Sequence, residues 1–273
     1  MTDAAVSFSP LASGGATGQI EGSGPGSTRA GLDQRAILLS VVIPVYNEAA
    51  TIHELVRRVV AAAVPAGVNR EIVCVDDAST DGTRSRLAEL PSRHPDVTIR
   101  LVHQPTNRGK GAALRAGFAA AAGDVVLVQD ADLEYDPADY ERLLEPIIAG
   151  RADVVFGSRF VGGAPHRVHY FWHYVANRSL TLLSNMMTNL NLTDMEVGYK
   201  VFRTDVLRRI TLVCDRFGFE PEVTAKVAKL RPRVRVYEVG VSYYGRSYED
   251  GKKITWVDGV KAVLAILRFG VLK

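Results

Sequence analysis

The chain has 273 residues, 47% hydrophobic and 23% charged, the proportions of an ordinary globular protein with room for one large α/β domain or two small ones. Its two cysteines, Cys74 and Cys214, have neither disulfide nor metal-ligand spacing, which excludes a disulfide-stapled scaffold and a cysteine zinc site. The net charge of +3 is unevenly spread: residues 1–159 hold 15 Lys/Arg against 20 Asp/Glu, and residues 160–273 hold 18 against 10. A basic C-terminal part fits an anionic partner (phosphorylated substrate, acidic lipid or nucleic acid), or simply a solvated basic surface.

Residues 1–35 read as a flexible tail, rich in Gly and Ser (Ser13-Gly14-Gly15, Gly22-Ser23-Gly24-Pro25-Gly26-Ser27) and without the charged start and apolar core of a secretion signal. From Ile37 strands and helices alternate. Strands are expected at 37–46, 71–75, 97–103, 125–129 and 153–156, and helices at 48–63, 83–90, 110–122 and 137–149. This alternation predicts a largely parallel sheet with helices on both faces. Beyond Gly157 the rhythm changes: a long helix over 170–192, a strand over 233–241 and a final amphipathic helix over 254–269. No stretch reaches the roughly 20 mostly apolar residues needed to span a bilayer.

Val125-Val126-Leu127-Val128-Gln129-Asp130-Ala131-Asp132 is the most informative segment. Four apolar residues describe a strand buried on both faces, and the two carboxylates just beyond its end share one side of an extended backbone. They would project into the crevice where open α/β sheets bind ligands. Two readings stand there: a seat for a hard divalent cation shared with phosphates, or a helix cap and turn. Each of the other strands is also followed by a polar group. These are Pro44-Val45-Tyr46-Asn47-Glu48, Asp76-Asp77-Ala78-Ser79-Thr80-Asp81-Gly82-Thr83, Asn107-Arg108-Gly109-Lys110-Gly111 and Gly157-Ser158-Arg159-Phe160. Their gathering at one sheet edge points to a ligand site more strongly than any one of them.

Together these motifs resemble a family 2 glycosyltransferase of the GT-A fold, in the branch of dolichyl- and polyprenyl-phosphate sugar synthases. Asp194-Met195-Glu196-Val197-Gly198-Tyr199-Lys200-Val201-Phe202-Arg203 and Arg246-Ser247-Tyr248-Glu249-Asp250-Gly251-Lys252-Lys253-Ile254 extend the similarity, which runs from about Leu39 to Asp258. The resemblance implies a single catalytic domain over residues 36–273, with a nucleotide-sugar half (36–160) and an acceptor half (161–273). It implies that Pro44, Tyr46, Glu48, Val75 and Asp77 contact the donor nucleoside. Asp130, Ala131, Asp132 and Glu134 would bracket the diphosphate and its Mg²⁺ or Mn²⁺, with Asp130, Asp132 and Glu134 as metal ligands. Glu134 stands where related mannose synthases often carry Gln, and their Asp-Pro-Met-Ser-Gly-Phe sequence is replaced here; the donor is therefore left open between UDP- and GDP-sugars.

The acceptor implied is a polyprenyl or dolichyl phosphate. Its second pKa is about 6, so near neutrality its oxygen needs no base. Arg159, Arg178, Arg246, Lys252 and Lys253 are the candidates to hold that phosphate, with Asp132, Arg159 and Arg246 as the catalytic set. Lys252 and Lys253 could equally be a solvated basic loop. A base such as Asp194 or Glu196 would instead favour a hydroxyl acceptor, and a catalytically silent nucleotide-binding module is the remaining rival. The helices over 170–192 and 254–273 offer either a platform for a lipid tail and a membrane interface or packing surface for the core. The expected location is cytoplasmic, peripheral at the inner membrane face. Nucleic acid is not expected, because the basic residues form no recognisable binding module.

Overall fold

The apolar, β-branched run Ile37–Val45 forms strand β1, with Val41, Val42 and Ile43 wholly inaccessible to solvent. In this computed structural model, residues 36–162, 168, 170–245 and 256–271 are described. The expectations for residues 1–35 and for Arg246, Lys252 and Lys253 lie outside them. Strand β1 pairs in parallel with β2 (Val68–Asp76) on one side and β4 (Val125–Val128) on the other. With β3 (Thr98–His103), β5 (Val154–Ser158), β6 (Lys200–Arg203) and β7 (Val236–Gly240), they make a seven-stranded sheet of order β3-β2-β1-β4-β6-β5-β7. Every pairing is parallel except those of β6, which runs antiparallel to both β4 and β5. Val125 to Val128 are all fully buried, as expected of a strand covered on both faces.

The helices follow the apolar periodicity. Helix α1 (Ile52–Ala61) buries Ile52, Leu55, Val56 and Val59. It starts four residues later than expected, because the Glu48 carbonyl instead accepts from the Thr51 and Ile52 amides in a turn at the sheet edge. Helices α2 (Thr83–Arg93) and α3 (Lys110–Ala120) follow β2 and β3. A 3₁₀ turn over Pro137–Asp139, capped by Asp136 accepting from the Ala138 amide, leads into α4 (Tyr140–Ile148). Helix α5 (Phe171–Thr188) stops four residues before the expected end, at Asn189 in the left-handed region with φ of 56°.

Three elements have no counterpart in the sequence reading: β6, the single turn α6 (Thr204–Leu207) and α7 (Phe219–Lys229). Strand β6 is only four residues long, and Lys200 within it is buried, which breaks any apolar run. Helix α7 opens on buried Glu220 and Glu222, so its inward face reads as polar. Glu222 accepts from the Val213 and Cys214 amides, both at 2.7 Å. Helix α8 (Trp256–Val271) packs against α5 and α7, burying Ala262, Ala265 and Ile266, while Lys229 Nζ donates to the Phe269 carbonyl. Among the described residues, no helix is long and apolar enough to cross a membrane.

Candidate active site

The carboxylate pair leaves the end of β4 on a braced backbone. Gln129 is fully buried; its Oε1 accepts from the hydroxyls of Tyr140 and Tyr199, both at 2.7 Å, and its Nε2 donates to the Asp130 carbonyl at 3.0 Å. The Thr51 hydroxyl donates to the Ala131 carbonyl (3.0 Å), tying the turn after β1 to the turn after β4. Asp132 Oδ1 accepts from the Glu134 amide at 3.1 Å, and Leu133 between them has φ of 62°. Asp130 Oδ1 lies 2.8 Å from Lys110 Nζ, which is also 3.0 Å from Glu220 Oε1. These two carboxylates raise the Lys110 ammonium above its ordinary value against the cost of burial.

The loops after β1, β2 and β3 interlock. Asn47 donates its amide to Ser79 Oγ (3.0 Å), and its side-chain oxygen accepts from the Thr80 amide (2.8 Å). The Glu48 amide donates to Thr83 Oγ1, and Glu48 Oε2 accepts from the Thr51 hydroxyl. Buried Asp77 accepts from Gln104 Nε2 and from the Arg108 and Gly109 amides, the last at 2.6 Å. It therefore fixes the glycine loop that delivers Lys110. On its far side that loop is pressed against residues 214–216: a Cβ on Gly111 would sit 2.3 Å from the Cys214 carbonyl oxygen.

Arg159, just past β5, forms a two-pronged pair with fully buried Asp194, Nε to Oδ2 and Nη2 to Oδ1, both 2.7 Å. Its own amide also donates to Asp194 Oδ2 (3.0 Å), and its guanidinium lies 5.3 Å from the centre of the Tyr243 ring. Arg159 lowers the Asp194 carboxyl despite burial, and Asp194 raises Arg159. The Tyr243 hydroxyl donates to Glu134 Oε2 at 2.8 Å. Arg178 Nη1 reaches the Thr193 carbonyl, at 3.3 Å.

The sequence reading assigned no site role to Lys110, Lys200 or Glu220, and considered Glu196 only as a base. Burial, then the Glu220 charge, pushes the Glu196 carboxyl up to about 8. Burial brings the Lys200 ammonium down to about 8. Lys200 donates to the Val197 carbonyl and lies 5.4 Å from the centre of the Phe156 ring. Lys110 stood in a quoted motif. Lys200 likewise stood in the Asp194–Arg203 segment, whereas Glu220 gave no signal, because its partner Lys110 is distant in sequence.

The expected donor residues do gather at this edge, with differences. Tyr46 is 37% exposed and Pro44 partly so, but Val75 is wholly buried between β1 and β3, which does not present it to a ligand. Asp77 holds the glycine loop. The expected metal trio does not converge: among the described residues no three acidic, His or Cys side chains are grouped to hold a cation. Asp130 faces Lys110, Asp132 accepts from the Glu134 amide, and Glu134 faces Tyr243. A cation taking one or two protein carboxylates and completing its shell with phosphate oxygens and water is compatible with that donor set.

A mostly parallel sheet with its polar loops at one edge and a carboxylate pair ending the fourth strand defines a GT-A glycosyltransferase. The chain belongs to the glycosyltransferase family 2, whose sequence profile ("Glycosyl transferase family 2") matches residues 40–211. It is 33% identical over 240 residues to an undecaprenyl-phosphate mannosyltransferase of Micrococcus luteus, covering 84% of this chain and 93% of that one. A polyprenol monophosphomannose synthase of Mycolicibacterium smegmatis is 32% identical over 210 residues, 76% of this chain and 77% of that one. In fold it resembles the glucosyl-3-phosphoglycerate synthase of Mycobacterium tuberculosis, crystallised with Mn²⁺, UDP and phosphoglyceric acid. The TM-score is 0.66 at 20% identity, over 87% of this chain and 80% of that one.

Proposed function

We propose that this glycosyltransferase moves a sugar, with inversion, from a UDP- or GDP-linked donor to a polyprenyl or dolichyl phosphate. The polyprenyl-phosphate transferases among its relatives support the acceptor class. One observation in the site carries the reading further. Asp194, a carboxylate that could have removed a proton from a hydroxyl acceptor, is committed to Arg159 through both oxygens. A phosphate monoester arrives already deprotonated and has no need of that base.

In this reading residues 36–160 hold the donor and 161–273 the acceptor. The nucleoside lies between the ends of β1 and β2, against Pro44, Tyr46 and Glu48, while Asp77 keeps the glycine loop in place. Asp132 would hold the Mg²⁺ or Mn²⁺, which when bound supplies positive charge for the departing diphosphate. Arg159 is oriented by Asp194 and presents the rest of its guanidinium to the acceptor phosphate, with Arg178, Arg246, Lys252 and Lys253 as further phosphate contacts. Exposed Val168, Tyr170, Phe171 and Trp172 at the start of α5, and Leu264 and Val271 on α8, supply apolar surface for a lipid tail and peripheral membrane contact.

The test is to incubate the protein with radiolabelled UDP- and GDP-sugars and polyprenyl phosphate, with and without EDTA. Label is expected in the organic phase with one nucleotide class, and is expected to disappear with EDTA. Label confined to the aqueous phase under all conditions would overturn the acceptor assignment.

A further inference from the structure

Two polar atoms beside the carboxylate pair are not accounted for by the contacts above. Glu196 Oε1 and Glu220 Oε2 are buried, and among the described residues neither meets a hydrogen-bond partner. A buried carboxylate oxygen without a donor carries a desolvation cost that native structures rarely leave unrelieved. A single proton between two such oxygens relieves both.

The surrounding charges say where that proton belongs. Glu196 lies in the segment entering β6, Glu220 in the first turn of α7, and Lys200 on β6 itself. Glu220 is the strongest charge acting on both Glu196 and Lys200. Lys200 and Arg159 also act on Glu196, as does Asp194 from its own segment, and Lys110 on α3 acts on Lys200. The cations of this group are Lys110, Lys200 and Arg159. Lys110 is shared by Asp130 and Glu220, Arg159 is held by Asp194, and Lys200 donates to the Val197 carbonyl. Glu196 forms no ion pair among the described residues, so its ionised form would be buried without a cation at contact distance. Asp194 is occupied by Arg159, and Glu220 Oε1 by Lys110, so Glu220 Oε2 is the acceptor left for a proton on Glu196.

We propose that Glu196 is held as the neutral acid and hydrogen-bonds Glu220, making it a positioning residue for the row Glu220–Lys110–Asp130 that flanks the donor. The inference rests on the nucleotide-sugar reading above only for its kinetic consequence. Ionising Glu196 would set a second negative charge beside Glu220 and draw the shared Lys110 toward that pair and away from Asp130. Donor binding, rather than acceptor binding, should then weaken. The upward displacement of the Glu196 carboxyl agrees with this arrangement.

The experiment uses the full chain. Donor KM and kcat are measured from about pH 6.5 to about pH 9, a range centred near the value expected for Glu196, for wild type, Glu196→Gln and Glu196→Ala. In the wild type, donor KM should rise at least about threefold above roughly pH 8, with a smaller change in kcat. Glu196→Gln, which donates but never ionises, should have a flat KM profile, and Glu196→Ala should bind donor poorly at every pH. A Glu196→Gln profile that tracks the wild type overturns the proposal. Infrared spectroscopy of the wild type supplies a readout independent of turnover and of how the variants fold. The carbonyl band of a protonated carboxyl should be present at neutral pH and fade through about pH 8. Its absence at neutral pH overturns the proposal even if sugar is transferred. Its presence in a protein that transfers no sugar supports the proton assignment and refutes the functional reading alone.

Discussion

Arg159 and Asp194 fix each other's charge and direction, and substitutions at the two positions should have different consequences. Asp194→Asn leaves a largely buried guanidinium without its counter-charge, which typically costs about 3–5 kcal/mol. Urea denaturation should show a loss of that order. Arg159→Lys keeps the positive charge but loses the planar fork. A tenfold or larger fall in kcat/KM, roughly 1.4 kcal/mol of transition-state stabilisation, is expected. A fall confined to acceptor KM, with kcat unchanged, would show that Arg159 only binds the acceptor phosphate. Asp132→Asn removes the carboxylate assigned to the cation. It should lower transfer at least about 100-fold, near 2.7 kcal/mol, with an unchanged circular dichroism spectrum. Activity near that of the wild type would remove Asp132 from the metal site.

At the scale of elements, the joint between β6 and the end of β4 is close-packed. A Cβ on Gly198 would lie 2.3 Å from Asp130 Oδ2 and 2.7 Å from Tyr135 Cε2. Gly198→Ala must therefore displace the Asp130 carboxylate that meets Lys110. Overpacking of this kind costs about 1–3 kcal/mol, and a drop in Tm should accompany a tenfold or greater loss of transfer. An active Gly198→Ala protein with unshifted donor KM would show that Asp130 does not act on the donor. The first half of this architecture was legible in the sequence because its strands are unbroken apolar runs, such as Val125 to Val128, and its helices repeat buried residues at helical spacing. The second half was hidden for a physical reason. Lys200, Glu220 and Glu222 are charged residues buried inside, held by the Val197 carbonyl, by Lys110 from α3 and by the Val213 and Cys214 amides, so β6 and α7 carry no apolar signature. The site shows the same division. Asp130 and Asp132 were readable from their place after a strand, whereas the engagement of Asp130 by Lys110 and of Asp194 by Arg159 depends on tertiary geometry.

Across the whole molecule, buried ionisable groups give stability a characteristic pH dependence. The native state keeps a proton on Glu196 from its ordinary 4.5 up to about 8, where the unfolded chain has lost it; stability should fall as pH rises across that interval. Lys200 acts in the opposite sense. Its proton is lost near 8 in the folded protein and near 10.5 when unfolded, so stability should recover above about 8. Asp194 and Asp153, both lowered by arginine partners, contribute stability that is lost as pH falls into the acid range. Thermal melts over pH should thus show a dip near 8, and Glu196→Gln should remove its acidic limb. A monotonic profile across that dip would argue against burial of both charges. The reversed strand β6 has one further consequence. The parallel strands leave the sheet at the reaction edge, so their loops must both make chemistry and carry the chain to the next helix. The segment before β6 enters the sheet from that edge, already anchored by Asp194 and Gly198 and followed by a strand locked between two neighbours. Residues 193–198 are therefore relieved of carrying the chain to a helix, so Asp194 can grip Arg159 and Gly198 can admit Asp130 while Met195 and Val197 stay in the core.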